Sequence, residues 1–189
     1  YALTEPVATC VAGMRVANPQ PDETVLIVGL GFFGQVYAQL ARLWGVHQVL
    51  ALEPNPARRA VAQAMDAAVP LAPDEWLEHP IEANVVIDAA GSADAADWCV
   101  RVARKTGRII VFGYRAEPVQ VDWYQILIKE LTVIGSRSSN HAWEYSLQLV
   151  HQNRLALHAL IDTRPFDAIE GAFADTEAQR TFKPILHWC

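Results

Sequence analysis

Two hydrophobic rhythms alternate along the chain. Uninterrupted apolar runs at Val25–Val28, Val49–Leu52, Val85–Ile87 and Ile109–Phe112 have the pattern of parallel strands buried on both faces, and Leu131–Ile134 reads as a final strand ending at Gly135. Between them, apolar residues recur every three or four positions. Phe33, Tyr37, Leu40, Ala41 and Trp44 predict a helix from Gly34 that Gly45 stops. Further helices are predicted over Ala57–Met65, whose first turn follows Pro56, over Ala93–Ala103, Trp123–Lys129 and Ala142–Gln152. A short strand is expected near Ala68–Leu71, then a loop and short helix around Pro73, Asp74, Glu75 and Pro80. Arg104 to Gly107 is expected to cap the preceding helix and turn the chain, and Tyr114 to Val121 to be irregular. The tail from Leu157, with a helix at Ile169–Asp175 and a segment Phe182–Leu186, reads as strand, helix and strand. Apolar strands alternating with helices predict an α/β fold, a doubly wound parallel sheet with a short C-terminal appendage.

The strand ends carry the candidate chemistry. Val28 leads into Gly29-Leu-Gly31-Phe-Phe-Gly34, a G-x-G-x-x-G turn between a strand and a helix, and the strand ending at Leu52 is followed by Glu53, roughly 20 residues beyond Gly34. Gly29 permits the tight turn, Gly31 lets backbone approach a pyrophosphate, and Gly34 lets the helix pack close to the sheet. The free N–H groups of the helix N-terminus would then hold phosphates. Ligands on such sheets sit beyond the strand C-termini, where Asp88 to Gly91 (with Ala90), Gly113 and Gly135 to Ser136 also fall.

Glu53 would accept hydrogen bonds from the adenosine ribose hydroxyls and repel a 2′-phosphate, which favours NAD over NADP; otherwise it is a solvated acid at a strand end. Arg58, one turn into the next helix, would lie against the adenine or approach the ribose, whereas Arg59 is expected to be solvated. Of Phe32 and Phe33, one side chain can cover the cofactor and the other pack beneath the sheet. Gly91 and Gly113 are either turn glycines or places where backbone nears the nicotinamide. Arg137 either reaches the pyrophosphate or substrate or is an exposed loop arginine.

Composition narrows the classes. A chain of 189 residues, 52% hydrophobic, can bury a full core, and a formal net charge of −6 with scattered Lys and Arg argues against nucleic acid or an anionic membrane as partner. No apolar stretch approaches the ~20 residues of a membrane span. Cys10, Cys99 and Cys189 form no C-x-x-C, and His47, His79, His141, His151, His158 and His187 show no H-x-x-x-H or H-E-x-x-H spacing, so neither a disulfide scaffold nor a zinc site is expected within the chain. A reducing cytoplasm is the expected compartment. No G-x-S-x-G or nucleophilic cysteine context occurs. The start at Tyr1, without Met, reads as a piece of something longer.

Taken together, Glu5-Pro6, the segment 22–35 (DETVLIVGLGFFGQ), 41–46 (ARLWGV), Glu53 with Arg58, 86–91 (VIDAAG) and 107–113 (GRIIVFG) resemble the medium-chain dehydrogenase/reductase superfamily, in the flavour of its polyol and threonine dehydrogenases. The resemblance implies a hinge segment over 1–22, a Rossmann NAD-binding domain over 23–136 and a C-terminal helix and return segment over 137–189. It also implies a GroES-like catalytic domain, absent from this chain, that would supply zinc ligands and a proton relay. Phe33, Glu53, Arg58, Phe112-Gly113-Tyr114 and Ser136-Arg137 fall where relatives contact NAD, and Glu5 falls where a glutamate faces the catalytic zinc. Leu131–Ile134 matches a strand that pairs across a dimer axis, which implies a homodimer. Phe182–Leu186 matches a segment that packs on the absent domain.

The resulting expectation is the NAD(H)-binding part of a zinc-dependent alcohol or polyol dehydrogenase, with a small alcohol as substrate and zinc only in the full-length enzyme. The chain alone is expected to show negligible turnover. Alternatives are a zinc-independent NADPH-dependent quinone-type reductase, a non-catalytic NAD(H) sensor module, and an S-adenosylmethionine-dependent methyltransferase. Quinone-type reductases usually prefer NADPH and lack an acid at the position of Glu53, which counts against that alternative, and the motifs at 88–91 and 107–113 disfavour the methyltransferase.

Overall fold

Side chains at period two along each strand divide the interior into two cores, one on each face of a single parallel sheet. In the computed structural model, residues 1–78, 80–115 and 117–188 are described; His79 and Cys189, named above, lie outside them. The sheet is built from β1 (Thr24–Val28), β2 (Gln48–Leu52), β3 (Val69–Leu71), β4 (Ala83–Asp88), β5 (Ala103–Val111) and β6 (Thr132–Gly135), in the order β3-β2-β1-β4-β5-β6 with every pairing parallel. Val25, Ile27, Val49, Ala51, Val85 and Ile87 enter one core. Leu26, Val28, Leu50, Leu52 and Val86 enter the other. This is why β1 shows no polar alternation: both of its faces are covered.

The first core is closed by α1 (Thr4–Ala17), α2 (Phe32–Leu43) and α7 (Trp143–His151), and the second by α4 (Pro73–Glu78) and α5 (Ala93–Val102), whose Trp76 and Trp98 meet edge to face. Further helices are α3 (Pro56–Ala64), capped by the Asn55 side chain, and α6 (Trp123–Ile128). The C-terminal appendage is the expected strand, helix and strand: β7 (Ile161–Pro165), α8 (Ile169–Glu177) and β8 (Lys183–His187), with β7 and β8 parallel. Ile161, Phe182 and Ile185 dock it on the first core.

Two local readings change. Residues 4–17, expected to be hinge without an element of its own, form a helix with eleven of its fourteen residues buried. Its small residues help explain the depth: a Cβ on Gly13 would stand 2.1 Å from the hydroxyl of the fully buried Tyr37 on α2, which would have to shift to admit it. Arg108 fastens its end, donating to the Ala17 carbonyl at 2.9 Å while pairing with Glu23 at 2.5 Å.

The second change concerns residues 104–107, expected to cap α5 and turn. Ala103 already pairs with Ala83, and the chain bulges before resuming at Arg108 opposite Val85, with Thr106 at φ 61°. The cap comes from a distant residue. Lys129 Nζ donates to the carbonyls of Val100, Arg101 and Ala103 at 3.1, 2.9 and 2.9 Å, placing a cation at the negative end of the α5 dipole. Lys129→Met should destabilise the chain by about 2 kcal/mol, since hydrogen bonds to a charged group are lost. In a chain of this size that lowers the melting temperature by roughly 4–8 °C, which thermal unfolding followed by circular dichroism would measure.

Candidate functional site

The direction of strand order reverses between β1 and β4, and loops leaving their C-terminal ends diverge to opposite sides of the sheet, opening a crevice. Two cavities meet there, sharing Ala89 and Ala90. The larger, about 600 Å³, runs from Gly29 and Gly31 past Leu52, Glu53 and Arg58 to Trp98 of α5. The smaller, about 360 Å³, lies between Phe33, Phe112, Gly113, Tyr114 and Arg137, with Glu5 and Thr9 of α1 at its edge.

Each glycine of the loop has its own spatial reason. Gly29 turns the chain at φ +94°. A Cβ on Gly34 would fall 1.9 Å from the Gly29 carbonyl oxygen, so α2 can begin against the strand end only without one. A Cβ on Gly31 would meet no heavy atom within 4 Å, because the space in front of it is the cavity. Gly31 is also the N-cap of α2 and offers no side-chain acceptor, so the first N–H groups of the helix face that space unsatisfied by it. That is the environment an anionic pyrophosphate needs.

Glu53 is 3% exposed, and its carboxylate does more than line the cavity. Oε2 accepts from the Leu30 N–H at 2.7 Å and Oε1 from the Asn55 N–H at 2.9 Å, so the acid ties the glycine loop to the start of α3. Arg58 Nη1 stands 4.0 Å from Oε2, with its guanidinium 5.9 Å from the Phe182 ring. Two backbone donors leave lone pairs on a carboxylate that can accept up to about four hydrogen bonds, and the acid retains capacity for ribose hydroxyls. Arg59, expected to be solvated, instead donates to the carbonyls of Glu53 and Pro54, both at 2.8 Å, and fixes the β2 end from beneath.

Gly29, Gly31, Glu53, Arg58 and Ala90 thus line the larger cavity, and Phe33, Ala90, Phe112, Gly113, Tyr114, Arg137 and Glu5 the smaller. Phe33 packs edge to face on Phe112, and Arg137 lies over the exposed Tyr114 ring. Four named residues line neither. Gly34 is under the turn, as its role requires. Phe32 is buried with its ring edge to face on Phe33. Ser136 is buried, its hydroxyl 3.2 Å from where a Gly13 Cβ would be, turned toward α1 rather than the crevice. Gly91, at φ +72°, faces another loop: a Cβ there would meet the Tyr114 carbonyl oxygen at 2.5 Å, and one on Gly113 would meet Gly91 N at 2.3 Å. The immediate reason for these two glycines is mutual approach of the loops after β4 and β5.

Sequence reasoning missed several contributors. Trp98 and Ser92 come from α5 and its cap, and Gln179 from the appendage. Lys183 of β8 sets its ammonium 5.3 Å from the Phe32 ring and 5.9 Å from Phe33, at the first turn of α2. The F-K-P segment gave no local signal of this, since the contact depends on how the appendage docks.

Among the described residues no group of three His, Cys, Asp or Glu side chains converges for a metal ion. Glu5 stands exposed in the first turn of α1 without companions, and the residues described here do not make a zinc site. No helix among them is long and apolar enough to cross a membrane.

A family model described as zinc-binding dehydrogenase matches residues 33–152. The chain belongs to this family. It thereby sits in the medium-chain dehydrogenase/reductase superfamily that its motif order resembles. The chain is 27% identical over 186 residues to 2-dehydro-3-deoxy-L-galactonate 5-dehydrogenase of Pseudoalteromonas atlantica, a match covering 93% of this chain and 54% of that protein. Among solved structures, the NADH complex of a short chain alcohol dehydrogenase from E. coli CFT073 superposes with TM-score 0.88 at 21% identity, covering 98% of this chain and 58% of the other. An NADP-bound zinc-binding dehydrogenase from Sinorhizobium meliloti 1021 gives TM-score 0.83 at 26% identity, covering 92% and 54%. The chain spans about half the length of the curated relatives it matches.

Proposed function

We propose that this chain is the NAD(H)-binding part of an alcohol or polyol dehydrogenase. The observation that carries the reading is the crevice between β1 and β4, where an open helix N-terminus at Gly31 and the buried Glu53 carboxylate, tied to the glycine loop through the Leu30 N–H, line one cavity. The pyrophosphate rests on the first turn of α2, with Lys183 as a neighbouring cation, and the adenosine lies between Arg58 and Trp98. The nicotinamide enters the smaller cavity beside Phe33, Phe112 and Gly113. The cofactor, once bound, accepts or returns a hydride; the chain's own residues bind it, orient it and shield it from water. Turnover and the choice of alcohol belong to the whole protein, and no step through zinc follows from the residues described.

The two cofactor-bound relatives carry NADH and NADP, so the preference rests on Glu53. Its carboxylate disfavours a 2′-phosphate by like-charge repulsion in a partly dry cavity. NADH should bind on the order of tenfold or more tighter than NADPH, a difference of about 1.4 kcal/mol. Glu53→Gln removes the charge and keeps one of the two oxygens that accept from Leu30 and Asn55, so both affinities should weaken somewhat while coming to within about threefold of one another. Calorimetric titration of both forms tests this; an unaltered chain with no preference, or a variant that keeps it, contradicts the assignment of Glu53.

The same reading includes a homodimer. β6 is the outer strand of the sheet, Val133 on it is 46% exposed, and Trp123, Tyr124 and Leu127 of the neighbouring α6 are more exposed still. A second copy would cover that edge and the apolar surface beside it. The buried free thiols of Cys10 and Cys99 support a reducing compartment, the cytoplasm.

A further inference from the structure

Arg115 lies in the irregular segment after β5, yet its side chain is only 13% exposed. Its guanidinium pairs with the buried Asp88 carboxylate, through Asp88 Oδ2, and its Nε donates to the Ser92 carbonyl at 3.2 Å. Asp88 in turn organises both loops. Oδ1 accepts from the N–H groups of Ala90 and Gly91 at 3.2 and 3.1 Å, and the Asp88 carbonyl accepts from Phe112 and Gly113 at 3.2 and 2.7 Å. The loops touch where Gly91 meets Gly113 and Tyr114. Ala90, held by this arrangement, forms part of both cavities, and Gly113 and Tyr114 form a wall of the smaller one.

From this geometry we infer that Arg115 is a positioning residue for the nicotinamide end of the cofactor: through Asp88 and Ser92 it pins the loop after β5 to the loop after β4 and so sets the width of the smaller cavity. Arg115 does not itself line the larger cavity that would hold adenosine: it meets that cavity only through the Ser92 carbonyl at the start of α5, whereas the adenosine end is walled by Leu52, Glu53, Arg58 and Trp98. A bidentate-capable, planar guanidinium suits the task, because it can reach a carboxylate and a carbonyl in fixed directions at once. Lysine has a point charge on a flexible stem and cannot hold both in one geometry.

The inference rests on the dinucleotide reading of the crevice, and its test separates the two. The unaltered chain, Arg115→Lys and Arg115→Gln are titrated by calorimetry with NADH and with ADP-ribose, which has the adenosine and pyrophosphate but no nicotinamide, and each is melted to confirm its fold. Lys keeps a cation opposite Asp88, so it protects the fold if Gln does not. The expected result is an NADH affinity about tenfold weaker in Arg115→Lys with ADP-ribose affinity changed less than about twofold. Equal losses for both ligands, or no loss for NADH in either variant, would overturn the positioning role. Equal affinity of the unaltered chain for NADH and ADP-ribose would also overturn it, since no nicotinamide contact would exist to position. An unaltered, folded chain that binds neither ligand would remove the dinucleotide reading itself, and this inference with it.

Discussion

Gly34→Ala should lower stability by about 3 kcal/mol, the upper end of the usual cost of forcing a methyl into filled space. Melting would then fall by roughly 6–12 °C in a chain of this size. The new Cβ would lie 1.9 Å from the Gly29 carbonyl oxygen and 3.5 Å from the Ile27 side chain. Gly29 cannot retreat easily. It is held at φ +94°, its N–H donates to the Leu52 carbonyl at 2.8 Å, and Ala90 closes its other side. Relief must come from α2 moving off the end of β1, which lifts the helix N-terminus away from the crevice. NADH binding should therefore be lost together with stability. A variant that melts within about 2 °C of the unaltered chain and still binds NADH would show that α2 is not wedged against the turn as described.

Gly31→Ala should do the opposite: leave the fold almost untouched and abolish most of the affinity. Gly31 has φ −66° and ψ −172°, extended backbone that alanine adopts freely, and open space surrounds its Cβ position. The loss of stability should be about 0.5 kcal/mol, from a poorer N-cap. The methyl would occupy the space through which a pyrophosphate reaches the N–H groups of α2. Losing two charge-assisted hydrogen bonds, each worth about 1.5 kcal/mol or more, weakens binding on the order of 100-fold. Thermal unfolding and calorimetry on the same preparation measure both quantities. Unchanged NADH affinity in a folded Gly31→Ala would mean that the ligand does not approach over this glycine.

The contrast between the two glycines also shows what could be read in the sequence. The glycine loop, the strands and the strand-end acids were legible because each follows from a local rule: a strand covered on both faces loses its polar alternation, and a strand that turns directly into a helix needs glycines at fixed offsets. Helix α1 was not legible, because burial nearly all round erases the polar face that makes a helix visible as a period. Lys129 as the cap of α5 and Lys183 beside the glycine loop depend on chain segments brought together only by the tertiary fold. Side-chain direction was the other blind spot. Ser136 sits at the expected strand end, but its hydroxyl faces the space left by Gly13. Gly91 and Gly113 were legible as glycines at strand ends, and only the structure shows them facing one another. Arg59, beside a more promising arginine, gave no hint that two carbonyls awaited it.

The central claim is that a dinucleotide lies across the ends of β1 and β4, and hydrogen exchange read by mass spectrometry on the unaltered chain, with and without saturating NADH, tests it most directly. Bound cofactor should slow exchange at 29–34, 53–58, 89–92 and 112–114, and leave the distant ends of the same strands, such as 24–25 and 83–84, unchanged. Saturable NADH binding with no slowing at 29–34 and 89–92, or with protection confined to other surfaces, would contradict the account.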